Sequence, residues 1–316
     1  MFKNASLLIG IYILACGTLT AAEIYCHGAA SLSDALIKVG NQFTNQTGNK
    51  VVFNFGASSL LARQIEEGSP GDLFFSADEE KIDQLQKKGL LMDSTRRSLL
   101  SNTLVIVASR ESAITLQSGT ELLALKGRIA IAEYQSVPAG IYARKYLSSI
   151  GLWQKVQDRL VPVANVRAAL AAVEAGNVET GIVYKTDARI SNRVRIAYEV
   201  PRNLGPTISY SLVLLKRSKE PSSAKKFYDY LLNPSALEIF RQFGFLTPTA
   251  EAHGVEQDVL RVLHHSLEGD TTELTFQTPC CLTSWTSICM DFFSPFNCAV
   301  ADAVSPVMNP FSPFTF

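Results

Sequence analysis

Apolar residues recur along residues 23–245 in two spacings, one typical of short strands and one typical of helices with a single buried face. In the first part of the chain the two spacings alternate. The predicted elements there are the strand Glu23–His27, the helix Ser33–Thr44, the strand Val51–Phe55, the helix Leu60–Glu67, the strand Asp72–Ser76 and the helix Glu79–Lys88. Short strands separated by helices predict βαβ units and a mostly parallel sheet, which places the chain in the α/β class.

The same alternation begins again after the continuous apolar run Thr103–Ala108. The predicted elements that follow are the strand Arg128–Ala132, the helices Ile141–Ser149 and Val166–Ala175, the strands Gly181–Tyr184, Arg193–Tyr198 and Ser209–Leu215, and the helices Ala224–Leu232 and Pro234–Gln242. We expect two α/β lobes joined by strands, one formed by residues 23–103 and 209–252 and the other by residues 104–208. A cleft between two such lobes is a preferred place for a ligand.

Residues 1–22 have the pattern of an export signal. Lys3 gives a basic start, Leu7–Ala15 an apolar stretch, and Leu19–Ala22 a region of small residues suited to cleavage. The alternative is a lipoprotein leader in which Cys16 carries the lipid. Either leader places the mature protein outside the cytoplasm, as a periplasmic protein or as a lipid-anchored one.

Composition excludes several classes of partner and scaffold. The 316 residues include 29 basic and 29 acidic side chains, and a net charge of zero argues against nucleic acid or an anionic membrane as a partner. No cysteine occurs from His27 to Pro279, so the body of the protein is not a disulfide scaffold. Cys26 and His27 point to opposite faces of the strand and therefore cannot act together as a nucleophile and its base, so we interpret Cys26 as a buried cysteine.

The end of the chain differs from the rest. We expect residues 253–316 to form a C-terminal extension that has little fixed structure from about residue 270, where neither strand nor helical spacing is maintained. Its four cysteines lack the paired spacing of a zinc site, so no metal site is predicted there.

Three turns of small residues each follow an apolar run and each open a predicted helix. They lie at Gly28–Leu32, Gly56–Leu60 and Val137–Gly140. A helix N-terminus leaves backbone N–H groups unpaired at the positive end of the helix dipole, and small residues let an anion approach them closely. Three such turns in one chain predict a binding site for a small anion.

Six motifs in order make the chain recognisable. They are Gly28-Ala-Ala-Ser-Leu32, Phe55-Gly-Ala-Ser-Ser-Leu-Leu-Ala-Arg-Gln64, Gly71-Asp-Leu-Phe-Phe-Ser-Ala-Asp78, Val137-Pro-Ala-Gly-Ile-Tyr142, Asn165-Val-Arg167 and Gly181-Ile-Val-Tyr184. From about Glu23 to Thr249 the sequence resembles the molybdate-binding protein (ModA) family, the extracytoplasmic receptors of molybdate ABC transporters.

The resemblance implies a two-lobed periplasmic-binding-protein fold of type II, with a mostly parallel sheet flanked by helices in each lobe and the ligand cleft between the lobes. It implies a protein that captures molybdate, and tungstate with it, and delivers the anion to a membrane ABC permease. No cofactor, direct metal ligand or catalytic residue is implied, and we expect a monomer. The ligand-binding positions that it implies are Ser31, Ser58, Ala139, Val166 and Tyr184. The two serines would give a hydroxyl and a backbone N–H each, Ala139 and Val166 a backbone N–H, and Tyr184 its phenolic hydroxyl.

The chain departs from the family pattern just before the third turn. It reads Ala132-Glu133-Tyr134 where the family commonly has Gly-Asp-Pro. A Glu133 side chain reaching into the cleft would oppose an anion.

Two other functions are weighed against the transport receptor. A receptor of the same fold for sulfate or another tetrahedral oxyanion would need the same donors and a different cavity size. A secreted serine hydrolase using Ser58 is the second alternative, although the chain lacks a Gly-x-Ser-x-Gly elbow.

Overall fold

The computed structural model describes residues 21–247 of the chain. Residues 1–20 of the predicted leader, with Cys16, and the predicted extension from residue 253 lie outside this range. Among the residues described, no helix combines the length and the apolar character needed to cross a bilayer.

The first lobe is built on a five-stranded sheet with the order β2-β1-β3-β10-β4. Strand β1 pairs in parallel with β2 and β3, while β10 runs antiparallel to both β3 and β4. The strands are β1 (Glu23–Ala29), β2 (Lys50–Gly56), β3 (Leu73–Ser76), β4 (Arg97–Ser101) and β10 (Ser209–Leu214).

The second lobe repeats this pattern in a five-stranded sheet with the order β7-β6-β8-β5-β9. Strand β6 pairs in parallel with β7 and β8, and β5 runs antiparallel to β8 and β9. The strands are β5 (Leu104–Ser109), β6 (Ile129–Ala132), β7 (Leu160–Val163), β8 (Thr180–Tyr184) and β9 (Val194–Glu199). The chain crosses between the two sheets at residues 102–103, between β4 and β5, and at residues 200–208, between β9 and β10.

Helices cover both sheets, and most of them follow a parallel strand. They are α1 (Ser33–Thr47), α2 (Ser58–Glu66), α3 (Glu79–Lys87), α4 (Pro138–Ser149), α5 (Trp153–Val156), α6 (Val166–Glu174), α7 (Lys185–Ile190), α8 (Pro221–Leu232) and α9 (Pro234–Gln242). Helix α1 shows why these segments are helical, because its residues Ala35, Leu36, Val39 and Phe43 form one buried stripe. It ends at Gly48, whose φ of 76° suits a residue without a Cβ.

The predicted two-lobed α/β fold is confirmed, and each sheet is mixed because a single strand, β10 or β5, runs against the others. One cluster of buried apolar side chains extends through both lobes. The parallel strands point their carboxyl ends, and therefore the starts of the helices that follow, toward the junction of the two lobes.

Candidate functional site

A small cavity lies between the lobes. Its volume is about 20 Å³, whereas sites for drug-sized ligands measure about 300–1,000 Å³. The cavity therefore suits one small ion. It is lined by Ala29, Ala30, Ser31, Gly56, Ala57, Ser58, Ala77, Val137, Pro138, Ala139, Asn165, Val166 and Tyr184.

Four helix starts surround this cavity, namely those of the 3₁₀ turn Ala30–Leu32 and of helices α2, α4 and α6. Serine, threonine, aspartate and asparagine normally cap such starts. Three of the four instead have an apolar residue at the cap, Ala29, Ala57 or Val137, with no side-chain hydrogen bond to the helix. Backbone N–H groups in these first turns are consequently left for a ligand, with the positive ends of the helix dipoles behind them.

Ser58 begins helix α2 and is almost fully buried. Its Oγ accepts a hydrogen bond from the backbone N–H of Ala77 at 3.0 Å. A serine oxygen that already accepts a bond still carries its own proton. The hydroxyl of Ser58 is therefore able to donate into the cavity.

Ser31 lies in the 3₁₀ turn after β1 and is also buried. Its Oγ is 2.9 Å from the phenolic oxygen of Tyr210, a fully buried residue of β10. The guanidinium of Arg167 donates from Nη2 to the carbonyl oxygen of Ser31 at 3.4 Å, and not to its hydroxyl.

Tyr184 closes the cavity from the second lobe. It stands at the end of β8 and at the cap of α7, and its ring lies edge-on to Tyr210 with centroids 5.9 Å apart. Its phenolic oxygen is buried and has no hydrogen-bond partner within residues 21–247. Because burial raises the pKa of Tyr184 well above its usual value, the group keeps its proton and remains a donor.

Ala139 and Val166 contribute only backbone to the cavity. Ala139 is the first residue of α4 with an N–H, since Pro138 before it has none. Val166 begins α6, and the side chain of its cap residue Asn165 accepts the N–H of Ala168 at 3.0 Å. That bond leaves the N–H of Val166 outside the capping interaction.

All five positions that the resemblance implies, Ser31, Ser58, Ala139, Val166 and Tyr184, thus lie on one cavity. Ala77 was not singled out from the sequence, although it lies within the Gly71–Asp78 motif. Tyr210 was missed as well, because nothing in the alternation of β10 separates it from an ordinary buried aromatic residue.

Among residues 21–247, no lysine, arginine or acidic side chain lines the cavity. The carboxylate of Glu133 accepts the backbone N–H groups of Gln135 and Ser136 at 2.9 and 2.8 Å. Glu133 is thus hydrogen-bonded to its own loop and does not line the cavity, so it does not oppose an anion there. Tyr134 packs edge-on to Trp153, away from the cavity.

Neither Cys26 nor His27 takes part in the site. Cys26 is buried, as predicted, and burial raises the pKa of its thiol. The His27 ring lies between the carbonyl oxygen of Pro70 and the amide of Asn54, each at 3.0 Å. Burial lowers the pKa of His27, so the ring is neutral at neutral pH. Residues 21–247 hold no cluster of His, Cys, Asp and Glu side chains able to bind a metal ion directly.

Comparison with known proteins agrees with this geometry. Residues 24–246 match the family model described as bacterial extracellular solute-binding protein. The chain is 39% identical over 228 residues to the molybdate-binding protein ModA of Escherichia coli (strain K12), covering 71% of this chain and 88% of that protein. It is 36% identical over 218 residues to a putative ABC transporter substrate-binding lipoprotein, YvgL, of Bacillus subtilis (strain 168), covering 69% of this chain and 84% of that protein.

Among solved structures, the fold is similar to that of the periplasmic molybdate-binding protein of Azotobacter vinelandii. The TM-score is 0.65 at 26% identity, over 72% of this chain and 100% of that one. The chain therefore belongs to the bacterial extracellular solute-binding proteins and, among them, to the molybdate-binding protein (ModA) family.

Proposed function

We propose that this protein captures molybdate, and tungstate with it, outside the cytoplasm and delivers the anion to an ABC permease. The observation that carries the proposal is the convergence of three hydroxyl groups and several helix starts on one small cavity, which no charged side chain of the described residues lines. The printed names of the relatives, molybdate-binding proteins and an ABC transporter substrate-binding lipoprotein, support the same ligand and the same transport role.

In this proposal Ser31 and Ser58 each donate through a hydroxyl and a backbone N–H, Ala139 and Val166 through a backbone N–H, and Tyr184 through its hydroxyl. Seven hydrogen bonds to a charged acceptor, at about 1.5–3 kcal/mol each, sum to roughly 10–21 kcal/mol, which covers the roughly 8–12 kcal/mol of a micromolar to nanomolar complex and exceeds it over most of that range. The surplus offsets the lost freedom of the ion and the ordering of the lobes.

The same donors select among anions. Molybdate carries no proton at neutral pH, so each of its oxygens accepts hydrogen bonds. Phosphate keeps a proton that would need an acceptor, and the predicted ligand groups offer donors. A neutral site built from dipoles also holds the double charge without the desolvation of a buried cationic side chain.

We infer that the protein is a receptor and not a hydrolase. A serine nucleophile needs a base within hydrogen-bond reach. The partner of the Ser58 hydroxyl is the N–H of Ala77, and His27 contacts Pro70 and Asn54 instead. A chromogenic ester should therefore not be turned over by the purified protein.

The site also supports the predicted lobe boundaries, residues 23–103 with 209–252 and residues 104–208, because its donors come from both sides of the crossings at 102–103 and 200–208. We propose that the two lobes close on the anion as hinged bodies and that the closed form, as a monomer, is recognised by the permease. An extracytoplasmic location, either free or lipid-anchored through Cys16, follows from that role.

Calorimetric titration of the purified protein with molybdate, tungstate, sulfate and phosphate tests the proposal. We expect one tightly bound molybdate or tungstate per chain, and no binding of phosphate at the same concentrations. Sulfate binding more tightly than molybdate would make the protein a sulfate receptor, and the absence of binding by all four anions would overturn an oxyanion function.

A further inference from the structure

A chain of buried hydrogen bonds leads from the crossing between the two sheets to Ser31. Asn102, which lies between β4 and β5, donates from Nδ2 to the phenolic oxygen of Tyr210 at 3.2 Å. That oxygen is in turn 2.9 Å from Ser31 Oγ in the cavity. The three side chains are 0–6% exposed, so water does not substitute for these contacts.

The orientation of the Asn102 amide is fixed by its other partners. Its Oδ1 accepts the backbone N–H of Thr103 at 2.9 Å, so its Nδ2 is the atom that faces Tyr210 and Thr186. An amide nitrogen only donates. The Tyr210 oxygen is therefore an acceptor toward Asn102 and has one proton of its own left to place.

Ser31 is the only group other than Asn102 that hydrogen-bonds the Tyr210 oxygen within residues 21–247. If Ser31 donated to Tyr210, the proton of Tyr210 would be buried without an acceptor, which is unfavourable. The favoured arrangement runs from Asn102 to Tyr210 to Ser31, with each group donating to the next. The proton of Ser31 is then free to point at a ligand.

We propose that Asn102 and Tyr210 are positioning residues that orient the Ser31 hydroxyl so that its proton points at the bound oxyanion. This inference rests on the proposed function. Ser31 and Ser58 are then alike, because the oxygen of each accepts a hydrogen bond from the protein. The donor is the Tyr210 hydroxyl for Ser31 and the Ala77 N–H for Ser58. Selection against protonated oxyanions then depends on Tyr210, a residue that does not line the cavity.

Asn102 places this relay at the crossing between the lobes. Its Nδ2 also donates to Thr186 Oγ1 at 2.9 Å, and Thr186 belongs to helix α7 of the second lobe, whereas Tyr210 and Ser31 belong to the first. Because Asn102 contacts both Thr186 and Tyr210, the direction of the Ser31 proton depends on contacts with both lobes.

A double-mutant cycle on molybdate affinity, measured by calorimetry, tests the relay. Tyr210→Phe keeps the ring that packs edge-on to Tyr184 and Phe245, and it removes only the hydroxyl. We expect Tyr210→Phe to weaken molybdate binding about fivefold to tenfold in the native protein and to have no further effect in a Ser31→Ala background. Equal effects of Tyr210→Phe in both backgrounds, or no effect in the native protein, would overturn the proposal.

The second readout compares sulfate and phosphate, two anions of similar size of which only phosphate carries a proton at neutral pH. In Tyr210→Phe the Ser31 hydroxyl loses the donor that orients it and can turn to accept that proton. At anion concentrations high enough to measure weak phosphate binding, the ratio of sulfate to phosphate affinity should therefore fall about tenfold. A general loss of packing would weaken the binding of both anions equally and leave the affinity ratio unchanged. That result would count against the relay.

Tyr228→Phe is the matched control, because it removes another tyrosine hydroxyl that bonds the carbonyl oxygen of Thr95 at 2.6 Å, away from the cavity. It should leave the anion affinities unchanged. If Tyr210→Phe fails to fold, Asn102→Ala removes the first donor and should weaken molybdate in the same direction, again only where Ser31 is present. Failure of the native protein to bind molybdate would refute the proposed function, whereas normal native binding with an additive cycle would refute only the relay.

Discussion

The hydroxyl oxygen of Ser58 accepts a hydrogen bond from the Ala77 N–H, and its own proton remains available for donation to a ligand. The neighbouring Ser59 occupies the next position of the same helix start and does not line the cavity. Two adjacent serines therefore differ in their position relative to the cavity, because helical geometry directs one side chain toward the junction of the lobes and the next one away from it.

We predict that Ser58→Ala weakens molybdate binding by about 1.5–3 kcal/mol, which is roughly tenfold to a hundredfold, because one charge-assisted hydrogen bond is lost. Calorimetry measures the affinity, and urea unfolding shows that the variant still folds cooperatively. Ser59→Ala is the control and should bind as the native protein does. Native affinity in Ser58→Ala would remove Ser58 from the proposed site.

The turns of small residues predicted an anion at helix starts, and the resemblance to the ModA family, carried by short ordered motifs, implied the five positions that line the cavity. The relay behind Ser31 was not predictable in this way. Tyr210 is 179 residues from Ser31 and 108 from Asn102 along the chain, and only the packing of β10 against the crossing brings the three together. Side-chain partners at such separations leave no periodic signal in one sequence.

At the scale of elements, the distance between helix α4 and strand β6 depends on Gly140. A Cβ at this position would lie 2.3 Å from the carbonyl oxygen of Ala132 and 2.4 Å from that of Glu133. Both are backbone atoms, which do not move aside as a flexible side chain would. Because Gly140 has no side chain, the start of α4 packs close to β6, and the N–H of Ala139 stays at the cavity.

We predict that Gly140→Ala displaces the start of α4, lowers the free energy of unfolding by about 1–3 kcal/mol and weakens molybdate binding at least tenfold. Urea unfolding and calorimetry measure the two effects. Ser148→Ala, on the exposed face of the same helix, is the control and should change neither quantity. Native affinity in a folded Gly140→Ala protein would contradict the role given to this close approach.

Most strands and helices were predicted to within a few residues, and two strands were missed. Strands β4 and β7 lie at the edges of their sheets, where one side of a strand faces solvent and the apolar pattern weakens. Strand β7 also contains Pro162, which is tolerated at an edge because that position needs no ladder donor. The short helix α7, over Lys185–Ile190, is too brief to show a helical period of its own.

At the scale of the whole molecule, Arg167 joins the two lobes beside the cavity. Its Nη2 is 2.6 Å from Asp34 Oδ2 in helix α1 of the first lobe, and its Nε is 2.7 Å from Asp187 Oδ1 in helix α7 of the second. Burial raises the pKa of Asp187 to about 6, against the opposing effect of Arg167, so this carboxylate is ionised above that pH and anchors the guanidinium. Separation of the lobes, as proposed, would break the pair with Asp34.

Removing that pair should speed the release of the ligand. We predict that Asp34→Asn raises the dissociation rate of molybdate about twofold to fivefold and leaves the association rate unchanged, because a half-exposed ion pair contributes about 0.2–1 kcal/mol and acts here only in the closed form. Stopped-flow competition measures both rates. Asp229→Asn breaks the comparable pair with Lys225, 2.6 Å apart within helix α8, and should alter neither rate. An equal change in both variants, or a slower association in Asp34→Asn, would mean that the Arg167–Asp34 pair does not hold the lobes together.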